Sequence, residues 1–138
     1  MFHSLPPSLR RLRLAAAACI AAACLAGPGV LPAHAHHGWS WAEEAQSELS
    51  GTVQRVELSP PHPLLDVRAA DGTVWRVELG NPVQTERSGF TAQSARAGDT
   101  VKAIGNRDKD ATKHRMKAVQ IEVGGKAYVL YPERVQKR

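Results

Sequence analysis

Two adjacent histidines, His36 and His37, follow an Ala-His-Ala triplet at residues 33–35 and are the residues of this sequence best placed to do chemistry. A peptide bond cut after Ala35 would give His36 a free α-amino group beside its imidazole. Amine and imidazole of one residue chelate a metal, and further imidazole nitrogens complete a set suited to copper or, less selectively, to nickel or zinc. His37, His62 and His114 are the candidates for that completion. His62 is favoured because Pro61 and Pro63 constrain its loop, whereas Lys113 and Arg115 surround His114 with positive charge. A cut after Ala33 would instead expose His34-Ala35-His36, whose third-position histidine allows square-planar Cu(II) or Ni(II) chelation by amine, backbone amides and imidazole. In either case the metal competes with protons for the imidazoles and the amine.

Each of these residues also has a plainer use. A His-rich start behind a cleavage site serves equally as a solvated tail, and His62 as a hydrogen-bonding residue of a turn. Met116 offers a thioether to Cu(I) but suits a core position better. Glu43 and Glu44 are either oxygen ligands, partners that orient imidazoles, or solvated charge. Trp39 and Trp41 share strand parity, so in an extended segment both would face one side, pin the arm to the domain and bring His36 towards His62.

This chemistry presupposes export. Arg10, Arg11 and Arg13 form a basic leader, followed by an Ala/Leu-rich stretch from Leu14 to Leu31 that Gly27, Pro28 and Gly29 interrupt. Residues 1–35 therefore read as a signal peptide, and the mature protein is expected in the periplasm, beginning at His36 and lacking a transmembrane span. A lipoprotein alternative would acylate Cys24, but Ala21, Ala22 and Ala23 stand where a Leu-led box is usual. Both cysteines, Cys19 and Cys24, lie in the leader, so the mature chain is expected to have no disulfide. Three of the 18 Lys and Arg residues also lie there, leaving 15 against 13 Asp and Glu. That near-balance argues against a nucleic-acid partner, which calls for a basic stripe.

The mature length suits one domain of about 100 residues. An N-terminal arm over residues 36–46 is expected to precede a β-domain over residues 47–138, because short period-2 apolar alternation dominates the latter. A first strand over residues 47–58 carries Leu49 and Val53 on one parity and Val56 and Leu58 on the other, which predicts a bulge. Leu65, Val67 and Ala69, an Asp71-Gly72 turn, and Trp75, Val77 and Leu79 predict a hairpin. Trp75 is expected to pack, and also to help line a binding surface. Asn81-Pro82 predicts a short helix over residues 82–88 ending at Gly89. Gly98-Asp99 leads into a strand through Val101 and Ala103, then residues 105–113 read as a charged loop. Val119, Ile121 and Val123 form a fifth strand, and Ala127 to Tyr131 a last one after Gly124-Gly125. This order predicts an all-β, OB-like barrel of five or six strands with one short helix after the third, the rival being a small open sandwich.

The whole mature arrangement resembles the bacterial domain-of-unknown-function family 6152. The residues that carry the resemblance are His36-His37 behind Ala-His-Ala, Gly51-Thr52-Val53, Pro61-His62, Trp75 beyond an Asp-Gly turn, Gly80-Asn81-Pro82 to Gly89-Phe90, and Gly98-Asp99. It implies a small exported protein with an OB-like barrel and no established enzymatic activity. The family's usual Asn-Pro-His appears here as Pro60-Pro61-His62, and its Gly-Trp as Gly89-Phe90.

No cysteine nucleophile, Gly-x-Ser-x-Gly elbow, phosphate-cradling loop or His-Glu-x-x-His pattern is present in the mature chain, so an enzyme is not expected. A mononuclear copper oxidase built on His36 stays open as an alternative, although nothing in the sequence identifies a substrate groove. Two functions follow. The first is an exported binding protein that holds copper through His36, His37 and His62. The second is a non-enzymatic cell-envelope module that binds a protein or small ligand, with incidental histidines.

Overall fold

The computed structural model describes residues 38–136. The expected signal, its cleavage point and the histidines at 36 and 37 lie outside the described residues.

Apolar alternation produces six strands: β1 (Ala42–Glu57), β2 (Leu64–Ala69), β3 (Val74–Glu78), β4 (Thr100–Asp108), β5 (Arg115–Val123) and β6 (Lys126–Val129). A helix α1 (Pro82–Arg87) follows β3, and a 3-10 turn (Pro132–Arg134) follows β6. The sheet order is β3-β2-β1-β4-β5-β6, and a parallel pairing of β3 with β5 closes the ring. The other pairings are antiparallel. This is the OB-like barrel, and the closing pair excludes the open sandwich.

β1 is the shared strand. Its first half pairs with β4 and its second half with β2, overlapping at Gly51 and Thr52. A Cβ at Gly51 would fall 2.3 Å from the Arg68 carbonyl oxygen, so only glycine lets the coiled strand approach so closely. The expected bulge lies at Gln54, between the Val53–Val67 and Arg55–Asp66 pairs. Leu49, Val53, Leu65, Val67, Val77, Val101, Ala103, Met116 and Ile121 fill the interior. Met116 is fully buried, which fits its core reading.

α1 caps one end. Asn81 Oδ1 accepts from the Gln84 amide and Gln84 Oε1 from the Asn81 amide, a complete capping box with Pro82 in the first turn. Behind it Phe90 packs edge-on against Tyr128 at 5.1 Å.

Three expectations are corrected. β1 begins at Ala42, ahead of the expected start at 47, because the segment after Trp41 pairs with the end of β4. β4 runs through residues expected to be loop, 105–108, because Gly105 lets β5 lie against it: a Cβ there would sit 2.1 Å from the Lys117 carbonyl oxygen. β5 correspondingly starts at Arg115, and the connecting loop shortens to residues 109–114.

Candidate functional site

The outward faces of β3, β4 and β5 carry charge where a small barrel would normally face water. Glu78, Asn106, Asp108 and Lys117 are all at least nine-tenths buried. They alternate with the core residues Val77 and Met116, so they point outward, and something must cover them. The cover is the segment before β1. Residues 38–41 form a turn, closed by the Ala42 amide donating to the Trp39 carbonyl at 3.0 Å, so the strand parity of Trp39 and Trp41 does not apply. Both tryptophans nevertheless dock, on different partners. Trp39 packs edge-on against Tyr131 at 5.0 Å, with the Arg134 guanidinium 4.1 Å above its ring. Trp41 lies under the Arg115 guanidinium at 3.7 Å. Such contacts are each worth about 0.5–2 kcal/mol when partly desolvated.

Glu78 organises the charges beneath. Its Oε1 accepts from Arg115 Nε at 2.8 Å and Nη2 at 2.5 Å, and its Oε2 lies 3.6 Å from Lys117 Nζ. Burial lowers the Lys117 ammonium below the ordinary lysine value, and Glu78 opposes that shift. Asp108 adds a second carboxylate, 3.9 Å from Arg115. Two buried carboxylates thus face two cations.

A bulge fixes how the arm enters β1. The pairs Ala42–Asp108 and Gln46–Asn106 leave three residues, 43–45, opposite the single Arg107. Asn106 Nδ2 donates to the carbonyls of both Glu43 and Glu44 at 3.0 Å, satisfying two groups that the ladder cannot pair. Glu43 and Glu44 are themselves exposed. With Trp39, Ser40, Asn106 and Arg134 they line a surface cavity of about 440 Å³ directly behind the chain's entry into the fold.

A second cavity, of about 310 Å³, opens at the end of the barrel interior. Ser47, Trp75 and Arg107 share inward parity with Leu49, Val77 and Ala103, and are the last inward residues of their strands at this end. Arg107 lies 4.7 Å over the Trp75 ring, and His114 packs at 5.3 Å from the same ring. Asp108, Glu43 and Lys113 complete the rim.

The histidines separate. His62 is exposed in the β1–β2 connection, after a cis Pro60-Pro61 peptide. It stands two residues before Leu64, which pairs with Glu78, which in turn pairs with Lys117 beneath Trp39. His114 is exposed at the other end of β3, beside Trp75, and its carbonyl accepts from the Arg76 amide. Among the described residues no three of His, Cys, Asp and Glu converge in a metal-holding group. On the open face of β1 and β2, Arg55 is held by Asp66 at 2.8 Å and Glu57 at 2.6 Å, so its charge is neutralised in place.

Sequence reasoning singled out the tryptophans but missed Ser47, Glu78, Asn106, Arg107, Asp108, Arg115 and Lys117. The available signal was parity: Glu78 and Lys117 alternate with buried residues, yet their burial requires a cover from distant sequence.

The family model described as "Family of unknown function (DUF6152)" matches residues 22–117. The chain belongs to this family. The match takes in β1 to β4, the start of β5 and every residue of the charged cluster under the arm. No curated protein matches the chain. A chain of the crystal structure of the S. pombe Stn1-ten1 complex is 20% identical with a TM-score of 0.47, over 56% of this chain and 57% of that one. Among the described residues of this family member no helix is long and apolar enough to cross a membrane.

Proposed function

We propose that this chain is an exported, periplasmic binding protein without catalytic chemistry of its own, holding copper between its processed N-terminus and His62. The observation that carries the reading is the docking of the residues just after the two histidines. Trp39 is fixed on Tyr131 and Arg134, and Trp41 under Arg115. Anchoring Trp39, two residues after His37, shortens the length of chain that must be ordered when a metal binds, which lowers the entropic cost of forming a site.

Reach supports His62 as the partner. Leu64, Glu78 and Lys117 are consecutive across the ladder, so Leu64 and Lys117 lie about 10 Å apart at the usual strand spacing. Three residues from Trp39 to His36 reach at most about 10 Å and two from Leu64 to His62 about 7 Å. Trp39, over Lys117, and Leu64, the described residues from which the two segments start, lie along the same outer row. Glu78 and Asp108 offset Arg115 and Lys117 beneath the arm, and Arg134 above Trp39 is the further cation that a bound metal would have to tolerate. Nitrogen ligands of this kind select copper over the other divalent ions by the ordinary affinity order.

The test uses protein recovered from the periplasm, with its N-terminal mass and metal content measured on one sample. Expected are a start at His36 and one tightly bound Cu(II), lost when one residue is added before His36 or when His62→Ala is made. Weak binding indifferent to both changes refutes the proposal. A start at His34 would move the amine and replace the brace by square-planar chelation through His36.

A further inference from the structure

The segment before β1 is attached to the barrel almost entirely through side chains. Trp39 rests on Tyr131 and Arg134, Trp41 lies under Arg115, and Lys109 Nζ donates to the Ser40 carbonyl at 2.7 Å. Among the described residues a single backbone hydrogen bond joins residues 38–41 to the barrel, from the Lys109 amide to the Trp41 carbonyl at 3.0 Å. The ladder behind the segment is interrupted as well. Ala42 stands opposite Asp108 and the next pair is Gln46 with Asn106, so residues 43–45 are held at the bulge by the Asn106 side chain, through the carbonyls of Glu43 and Glu44.

We propose that residues 38–42 form a strap that opens as one piece about this bulge while the barrel stays closed. What lies beneath the strap makes that opening cheap. A cover over apolar core exposes that core when it lifts, whereas this one uncovers Glu78 and Lys117, which water can solvate again. Burial disfavours the Lys117 ammonium, and lifting the strap relieves that penalty. Leu49, Val53, Val77 and Met116 stay inside the barrel, on the opposite face of the same strands. Against opening stand the two tryptophan rings and their cation contacts, a far smaller set than the ladders that global unfolding must break.

The strap moves as a unit because its turn is closed internally. The Ala42 amide donates to the Trp39 carbonyl at 3.0 Å, which ties the two tryptophans into one piece, so that loosening either loosens both. The consequence for a ligand rests on the copper reading. A metal gripped between the start of the chain and His62 is held while the strap is closed and released when it opens, so strap opening sets the rate of metal exchange.

The test is amide exchange of the metal-free mature protein, read by NMR. The Lys109 and Ala42 amides report the strap, since their acceptors are the Trp41 and Trp39 carbonyls. The Val53 amide, bonded to the Asp99 carbonyl on β1 beyond residues 43–45, and the Arg76 amide, bonded to the His114 carbonyl, report the barrel. Expected, after correction for intrinsic rates, is exchange at the strap amides about a hundredfold faster than at the barrel amides, and insensitive to low urea because a local opening exposes little surface. Trp39→Ala should quicken Lys109 and Ala42 together by about tenfold, and the milder Arg134→Gln by about threefold, with Val53 and Arg76 unchanged. Exchange at Lys109 as slow as at Val53 and Arg76 would mean that the strap leaves only on global unfolding, and unequal responses of Lys109 and Ala42 would mean fraying residue by residue; either overturns the proposal. The link to the metal is read separately, by exchange in the presence of Cu(II) stopped in acid and chelator before the spectrum is taken. Slower exchange at Lys109 in the copper-bound protein supports that link, and bound Cu(II) with unchanged exchange overturns it. If no Cu(II) binds, the copper reading falls, while the metal-free exchange still decides the strap.

Discussion

Replacing Glu78 by glutamine keeps its shape and removes the charge on which the covered face depends. Glu78 accepts two hydrogen bonds from Arg115 and stands 3.6 Å from Lys117, with the side chains of Glu78 and Lys117 only 11% and 9% exposed. Removing one partner of a buried ion pair costs about 3–5 kcal/mol, because the other charge stays buried and unpaired. Arg115 is a third exposed and recovers part of its loss in water, which sets the expectation at the lower end, about 3 kcal/mol. For a domain of this size that is a fall in Tm of about 12 °C or more. The pH dependence has a definite sign. Burial lowers the Lys117 pKa below its ordinary 10.5, with Glu78 opposing and Arg115 reinforcing the shift. Between the lowered value and 10.5 the unfolded chain binds more protons than the folded one, so stability rises with pH. In Glu78→Gln the opposing attraction is gone, the interval widens downward, and the loss of stability shrinks as pH rises from about 7 towards 10. The scan stops there because Tyr131, which shares the Lys117 contact, is raised above 10.0 by burial and then by Glu133. Urea and thermal unfolding of wild type, Glu78→Gln and Glu78→Gln/Lys117→Met provide the assay. The double variant, lacking the buried ammonium, is expected to recover most of the loss. A Tm within about 3 °C of wild type at neutral pH, or a double variant no more stable than the single one, would refute the reasoning.

Two further outcomes follow from the backbone. Gly105→Ala drives a Cβ into the Lys117 carbonyl oxygen and the Ala118 Cα, so the β4–β5 ladder must shift; calorimetry is expected to report a loss of about 1–3 kcal/mol, well beyond the few tenths of an unstrained exposed site. Asn106→Ala removes both bonds to the bulge at residues 43–45 and is expected to cost about 1–3 kcal/mol. Amide exchange should accelerate at the start of β1 while the β2–β3 hairpin keeps its protection.

The β2–β3 hairpin, the bulge at Gln54 and the Asn81-Pro82 helix start were legible in the sequence because each is encoded within about ten residues: period-2 alternation, a parity switch, an N-cap before proline. The two ends of β4 were not equally legible. Val101 and Ala103 announce the strand, but Asn106 to Asp108 look like solvated loop until Trp39 and Trp41 are seen covering them. Likewise Trp75 reads locally as a packing residue with a surface role, whereas the cavity it lines draws on Ser47 from one strand and Arg107 from another.

The sequence by itself determined the elements, the OB-like order and the placing of two histidines behind a leader pattern, since these rest on local periodicity and on chemistry carried by neighbouring residues. Only the tertiary structure decided which charges are buried, that His62 and His114 lie at different ends of the barrel, and that the residues after His37 dock. The physical reason is closure: the parallel β3–β5 pairing sets Glu78 beside Lys117 across almost forty residues of chain, a contact that no local pattern specifies.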